Sequence, residues 1–169
     1  MVTIPLVKKD SVGNRAYKFE ENPFTEVYID VNYKCNMSCP MCYSDTPLGA
    51  QATVPDLDLD YYEEFCAKLP QPIIIPMVGG EPTISKHILK IIEITHKYGH
   101  MAFMSTNGRR FAQSLDFTKR FAEVAKKGNT RIHIDISGGY NDDYNQVLYG
   151  EPGVEMKMQA LQNMTEAKL

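Results

Sequence analysis

The chain is 169 residues long, 43% hydrophobic, and carries a formal net charge of -3. That length suits one domain with a real core, and the mildly acidic balance argues against nucleic acid or an anionic membrane surface as a partner. No apolar run is long enough to span a bilayer, Met1-Val2-Thr3-Ile4-Pro5 lacks the pattern of a signal peptide, and four cysteines, three of them crowded together, point to the reducing cytoplasm rather than to a disulfide framework.

Residues 1–24 are weakly patterned and are expected to form an extension ahead of the core at 25–169, with Thr3 to Val7 as at best a short edge strand. From Thr25 the pattern sharpens. Val27, Ile29 and Val31 alternate with Tyr28, Asp30 and Asn32, the period of a strand with two different faces. This strand runs directly into Cys35-Asn36-Met37-Ser38-Cys39-Pro40-Met41-Cys42, which places three thiols on one short loop. Thiolates bind zinc or iron-sulfur clusters, and three of them leave one coordination position open, as in sites that bind and change a ligand. A zinc knuckle or a redox-labile surface loop is the plainer reading.

Tyr43 to Leu57 is a long segment rich in Asp, Thr, Pro and Gly, either a lid or a solvated excursion. Asp60-x-x-Glu63 reads as a capping box for a helix whose stripe is Tyr62, Phe65, Cys66 and Leu69, stopped by Pro70. Cys66 on that stripe reads as a packed core thiol rather than a fourth ligand. The apolar run from Ile73 to Val78 is the pattern of a strand buried on both faces of a parallel sheet. It ends in Gly79-Gly80-Glu81-Pro82, where two glycines allow backbone to approach a ligand closely.

Ser85 is the expected cap of a second helix, with Ile88, Leu89, Ile91, Ile92 and Thr95 inward, His87 and His96 on or near its wet side, and Gly99 as its stop. Met101 to Met104 read as a third strand, ending in Ser105-Thr106-Asn107-Gly108. A third helix is expected from Ser114 or Asp116, with Phe117, Phe121, Val124 and Ala125 inward. Arg131 to Ser137 read as a fourth strand, with one aliphatic and one polar face. If the polar faces of the first and fourth strands point inward, Asp30, Asn32, His133, Asp135 and Ser137 line a cavity. A second long polar loop runs from Gly138 to Gly150, and a last helix from about Val154 carries Met158, Leu161 and Thr165 on one stripe. Four strand-helix alternations imply a parallel α/β sheet with right-handed crossovers, and the cysteine loop, the Gly-Gly turn and the Ser-Thr-Asn turn all fall at C-terminal strand ends.

The C-x3-C-x2-C spacing followed by Gly-Gly-Glu-Pro resembles the radical S-adenosylmethionine (SAM) superfamily, over roughly residues 25 to 165. The resemblance implies a partial (β/α) barrel and a 4Fe-4S cluster on Cys35, Cys39 and Cys42, with SAM on the fourth iron. It further implies reductive cleavage of SAM to a 5′-deoxyadenosyl radical that abstracts hydrogen from a substrate. Gly79, Gly80 and Glu81 would receive the methionyl amino end, and Ser105, Asn107, Asp135 and Ser137 are weaker candidates for the ribose or carboxylate. Tyr43 is the candidate for the adenine contact, because Met41 stands where many members carry an aromatic residue. In related peptide-modifying members an arginine from the loop after the fourth strand meets the SAM carboxylate. Here Asp142-Asp143-Tyr144-Asn145-Gln146 has none, which leaves that contact unassigned. The electron would come from a reductant of flavodoxin or ferredoxin type. Superfamily cores have about six strand-helix units against four here, so a further C-terminal segment or a partner chain is expected to finish the sheet. The rival readings are a non-catalytic metal-binding or electron-transfer module using the three cysteines and Cys66, and a truncated relative that binds cluster and SAM without turnover.

Overall fold

The computed structural model describes residues 25–44 and 55–169. The amino-terminal extension and the middle of the segment after Tyr43 lie outside the described residues.

Four strands, β1 (Ile29–Asn32), β2 (Ile74–Gly79), β3 (Met101–Thr106) and β4 (Thr130–Ile134), form one parallel sheet in the order β1-β2-β3-β4. Each strand returns through helix to lie beside its predecessor, as crossover connections between parallel strands require. α1 (Leu59–Lys68), α2 (Ile88–Lys97), and the pair α3 (Arg109–Gln113) and α4 (Leu115–Ala125) make the three crossovers. α5 (Asp142–Tyr149) and α6 (Val154–Glu166) follow β4. The sheet is open, with β1 and β4 at its edges, because four twisted strands cannot close on themselves.

The core lies between the sheet and its helices. Ile75 and Met77 from β2, Val31 from β1, and Ala102 and Met104 from β3 meet Tyr62, Ile88, Ile91, Ile92, Phe117 and Phe121. Each such side chain, fully buried, contributes about 1.5–3 kcal/mol. Phe111, Phe117 and Phe121 stack with centroids 5.1–6.0 Å apart, locking α3 onto α4. Polar side chains in the core are paired. The Tyr62 hydroxyl lies 2.7 Å from that of Thr95, and the His100 ring accepts from Ile73 N (3.3 Å) and meets Cys66 O (3.1 Å).

Several boundaries differ from the sequence-based expectation. α1 is capped by Asp58, whose carboxylate accepts from Tyr61 N at 2.8 Å, so Asp60 lies in the first turn instead of at the cap. Ser85 does not cap α2. Its hydroxyl accepts from His87 N in the turn before the helix, after a short 3-10 turn at Pro82–Ile84. His96 is half-buried rather than wet, bonded to the Thr130 hydroxyl at 2.9 Å. β4 stops at Ile134, because the Asp135 carboxylate turns the chain by accepting from Ser137 N (2.8 Å). The expected loop from Gly138 to Gly150 contains α5, capped by Asn141, whose side chain accepts from Asp143 N and Tyr144 N, and closed by Gly150 in the left-handed region. On α6 the buried stripe is Lys157, Ala160 and Asn163, whereas Leu161 and Thr165 are exposed. Close packing of α6 on α3 sets that rotation: Asn163 Nδ2 donates to the carbonyls of Phe111 (2.8 Å) and Ala112 (3.0 Å) at the end of α3.

Candidate active site at the C-terminal edge of the sheet

Hydrogen bonds within the protein fix the cysteine loop to the neighbouring turns. At the end of β1, Lys34 N donates to Asn32 Oδ1 (2.7 Å), while Asn32 Nδ2 donates to Glu81 O (2.9 Å). Gly80 N and Glu81 N donate in turn to Asn32 O and Lys34 O, both at 2.8 Å. These four bonds zip the entry to Cys35 onto the Gly79-Gly80-Glu81 turn. Farther along, Cys42 N donates to Cys39 O (3.0 Å), and Asn107 Nδ2 donates to Asn36 Oδ1 (2.7 Å), which ties the loop to the turn after β3.

Packing by itself requires glycine at both positions. A Cβ on Gly80 would run into the Lys34 carbonyl oxygen and stand 2.6 Å from its carbon and 2.8 Å from its nitrogen. Gly79 has φ +98°, and a Cβ there would meet Asn32 O. Both residues are glycine because the backbone of β1 and the cysteine loop pass directly over them.

Glu81 is 2% exposed, and four protein donors reach its carboxylate. Oε1 accepts from Thr83 N (3.0 Å), the Thr83 hydroxyl (2.5 Å) and the Thr106 hydroxyl (2.7 Å), while Oε2 accepts from Asn107 N (2.8 Å). Four donors converging on one buried carboxylate fix the turns after β2 and β3 against each other.

These pieces surround a cleft of about 310 Å³. Its walls include Cys35, Cys39 and Cys42 from the loop, Gly79, Gly80 and Glu81 at the end of β2, Ser105 to Asn107 at the end of β3, His133 from β4 and Asp135 just after it. Tyr43, highly exposed, stands at its rim. Thus Cys35, Cys39, Cys42, Gly79, Gly80, Glu81, Ser105, Asn107, Asp135 and Tyr43 come together. Ser137 does not line the cleft: it is exposed, with its hydroxyl donating to Asp135. The expected polar cavity is also narrower than the strand pattern suggests. Asp30 is exposed and bonded to the Tyr33 hydroxyl, and Asn32 is buried within the β1–β2 junction, leaving His133 and Asp135 on the wall. A wider open groove of about 750 Å³ beside Lys34, Asp56 and His87 brings together no comparable set of groups.

All three loop thiols are free and half-buried, and burial pushes Cys35 and Cys39 above the ordinary thiol range. The negative partners Glu81 for Cys35, and the neighbouring thiols and Glu151 for Cys39, act the same way. Such thiols give up their protons readily only to a metal. Among the described residues no three His, Cys, Asp or Glu side chains stand close enough to grip a single ion. Three free thiols on one short loop are donors of the chemistry that iron-sulfur clusters and zinc both take. Cys66 is 1% exposed in the core on α1, with its thiol pushed up to about 11 by burial, and belongs to the apolar packing.

Among the wall residues that sequence reasoning missed are Thr106, Tyr149 and Lys157. Burial raises the Tyr149 hydroxyl above its ordinary range, with Asp135 acting in the same direction, and Tyr149 Oη accepts from Ser137 N at 3.1 Å. Tyr149 sits on α5, which the polar composition of residues 138–150 concealed, whereas Lys157 sits on the expected last helix, on a different stripe from Met158, Leu161 and Thr165.

The family model for the radical SAM superfamily matches residues 29–169. The chain belongs to the radical SAM superfamily. Among its relatives, the 7,8-dihydro-6-hydroxymethylpterin dimethyltransferase of Methanocaldococcus jannaschii is 23% identical over 138 residues, covering 80% of this chain and 26% of the relative. A probable GTP 3′,8-cyclase of Pyrococcus abyssi is 28% identical over 114 residues, covering 68% of this chain and 35% of the relative. Among solved structures, SuiB of Streptococcus suis bound to the precursor peptide SuiA superposes with a TM-score of 0.65 at 18% identity, over 85% of this chain and 30% of SuiB. The same enzyme bound to S-adenosylmethionine gives 0.63. The radical SAM chain described here therefore spans about a quarter to a third of the length of these relatives. Its open four-stranded sheet is the partial-barrel fold of that superfamily. Among the described residues no helix is long and apolar enough to cross a membrane.

Proposed function

We propose that this radical SAM chain holds a 4Fe-4S cluster through Cys35, Cys39 and Cys42 and binds SAM in the adjoining cleft. When bound, that pair supplies a 5′-deoxyadenosyl radical that abstracts hydrogen from a substrate. The observation that carries the reading is the convergence of three free thiols with the Gly79–Glu81 and Ser105–Asn107 turns on one cleft.

The chain's own residues would do the following. The three thiols lose their protons to become cluster ligands, and the bonds from Asn32 and Asn107 hold their loop in place. The turn at Gly79 to Glu81 offers backbone groups to the methionyl amino end, and the Glu81 carboxylate fixes that turn while Oε2, which among the described residues accepts only from Asn107 N, keeps an acceptor position for the amino group. Ser105, Asn107 and Asp135 stand on the wall for the ribose, and Tyr43 at the rim for the adenine. Ser137 would act through its bond to Asp135. A flavodoxin- or ferredoxin-type reductant would deliver the electron in the cytoplasm.

The open edge of β4 and the uncovered cleft favour completion of the sheet by a further segment or a partner chain, because a reactive radical needs water excluded. Without it, SAM cleavage would be slow and uncoupled from product. Anaerobic reconstitution tests the reading. About four irons and four sulfides per chain are expected, with an electron paramagnetic resonance signal of the reduced cluster that changes on adding SAM. A colourless protein that takes up zinc and ignores SAM would overturn it.

A further inference from the structure

The far end of the cysteine loop rests on the corner between α5 and α6. Gly150 has φ +77°, and a Cβ there would stand 2.7 Å from Ser38 O and 3.6 Å from Pro40 Cδ, so the corner lies against the backbone on both sides of Cys39. Asp142 holds the corner in shape: its Oδ1 accepts from Gly153 N (2.8 Å) and Val154 N (3.0 Å). Glu151 follows Gly150 directly, and its carboxylate acts through space on the Cys39 thiol, in the sense opposite to Lys157.

Arg109, at the start of α3, meets Glu151 from the opposite side. Its Nη2 pairs with Glu151 Oε1, and the two side chains are 25% and 34% exposed. Arg109 Nε is buried without an acceptor, and no second carboxylate pairs with this arginine among the described residues. The backbone of Arg109 is tied to the same loop, because its N donates to Asn107 Oδ1 (2.9 Å) while Asn107 Nδ2 holds Asn36 (2.7 Å). The pair therefore brackets the loop, with Asn107 and Asn36 beside Cys35 and Glu151 beside Cys39. For stability such a pair is worth little, at most about 1 kcal/mol. Its effect on a neighbouring site whose charge changes is larger, because partly buried charges are weakly screened, and the potential of an iron-sulfur cluster follows the charge around it.

We propose that the Arg109–Glu151 pair sets the reduction potential of the cluster from its Cys39 side, with Arg109 a positioning residue that acts through Glu151. The inference rests on the proposed function. Reduction adds one negative charge to the cluster, so a lone carboxylate behind Cys39 opposes it and a lone guanidinium favours it. Paired, the two hold the potential between those limits.

The test is the one-electron reduction potential of the anaerobically reconstituted protein without SAM. Electron paramagnetic resonance reads it at each step of a titration with titanium(III) citrate. Glu151→Gln leaves the guanidinium alone and should raise the ratio of reduced to oxidised cluster at a given potential roughly tenfold, a shift of about 59 mV upward. Arg109→Met leaves the carboxylate alone and should lower that ratio by a similar factor. The double variant should return close to wild type, and Arg109→Lys should keep the wild-type potential. Glu151→Ala and Arg109→Gln replace either first variant if it fails to assemble its cluster. A purely structural bracket would move both single variants in the same direction, and that result would overturn the proposal. Ratios within about twofold of wild type in both single variants would overturn it equally. A wild-type protein that assembles no reducible cluster would instead refute the proposed function and this inference with it.

Discussion

Gly80→Ala separates two accounts of the Gly-Gly turn. If the glycines exist to admit SAM, the variant should keep its cluster and lose the cofactor. The structure argues otherwise, because the added methyl would stand 2.6 Å from the carbonyl carbon of Lys34 and 2.8 Å from its nitrogen. Lys34 would have to retreat by more than about 1 Å to bring its carbonyl oxygen, the nearest atom, to ordinary contact, and the obstacle is backbone, which cannot rotate aside. Overpacking of this kind costs about 1–3 kcal/mol. The retreat also stretches the bonds from Gly80 N to Asn32 O and from Glu81 N to Lys34 O, each contributing about 1 kcal/mol. A total of roughly 3 kcal/mol would lower the melting temperature by about 6–12 °C in a chain of this size. Because Lys34 precedes the first loop cysteine, iron binding and SAM binding should fall together. Circular dichroism melting of the apoprotein, iron content after reconstitution, and SAM titration read all three. A variant with wild-type melting and full iron that has lost only SAM would refute the packing account.

Glu81→Gln turns one acceptor of the buried carboxylate into a donor facing Thr83, Thr106 or Asn107, so it should destabilise the apoprotein by about 1–3 kcal/mol; denaturant unfolding with an unchanged midpoint would contradict this. In the native apoprotein, thiol reagents should modify Cys35, Cys39 and Cys42, slowly at neutral pH for Cys35 and Cys39 and faster as pH rises, because burial raises both thiols. Cys66 should react only on unfolding, and Cys66→Ala should retain full iron content; loss of iron in that variant would make Cys66 a ligand. Burial lowers the His96 pKa, so the folded state resists its protonation. Stability should therefore hold above the ordinary histidine value and decline as pH falls below it toward the lowered folded value. Melting temperatures of wild type and His96→Gln between pH 7 and 5 should converge as acid is added, and parallel curves would show that His96 does not contribute.

The sequence by itself determined the order of elements, the parallel sheet and the turns that carry chemistry. These rest on local signals: apolar runs of strand length, the 3.6-residue stripes of α2 and α4, and residue types at strand ends whose chemistry is limited. Three adjacent thiols have few uses whatever surrounds them. Caps were less legible, since Asp58 and Asp60 are chemically equal candidates and only the path of the chain after Leu57 decides between them. α5 was hidden because its eight residues bury little and its hydrophobic side chains Tyr144 and Val147 face outward. What tertiary structure alone decided is the role of each polar group at the site. The sequence marks Glu81 as a candidate ligand, and the fold adds a clasp, because Thr83, Thr106 and Asn107 reach it from two different turns. Lys157 reads as an ordinary surface lysine of a polar helix and becomes a buried cation, because the packing of α6 on α3 rotates that face toward the thiols.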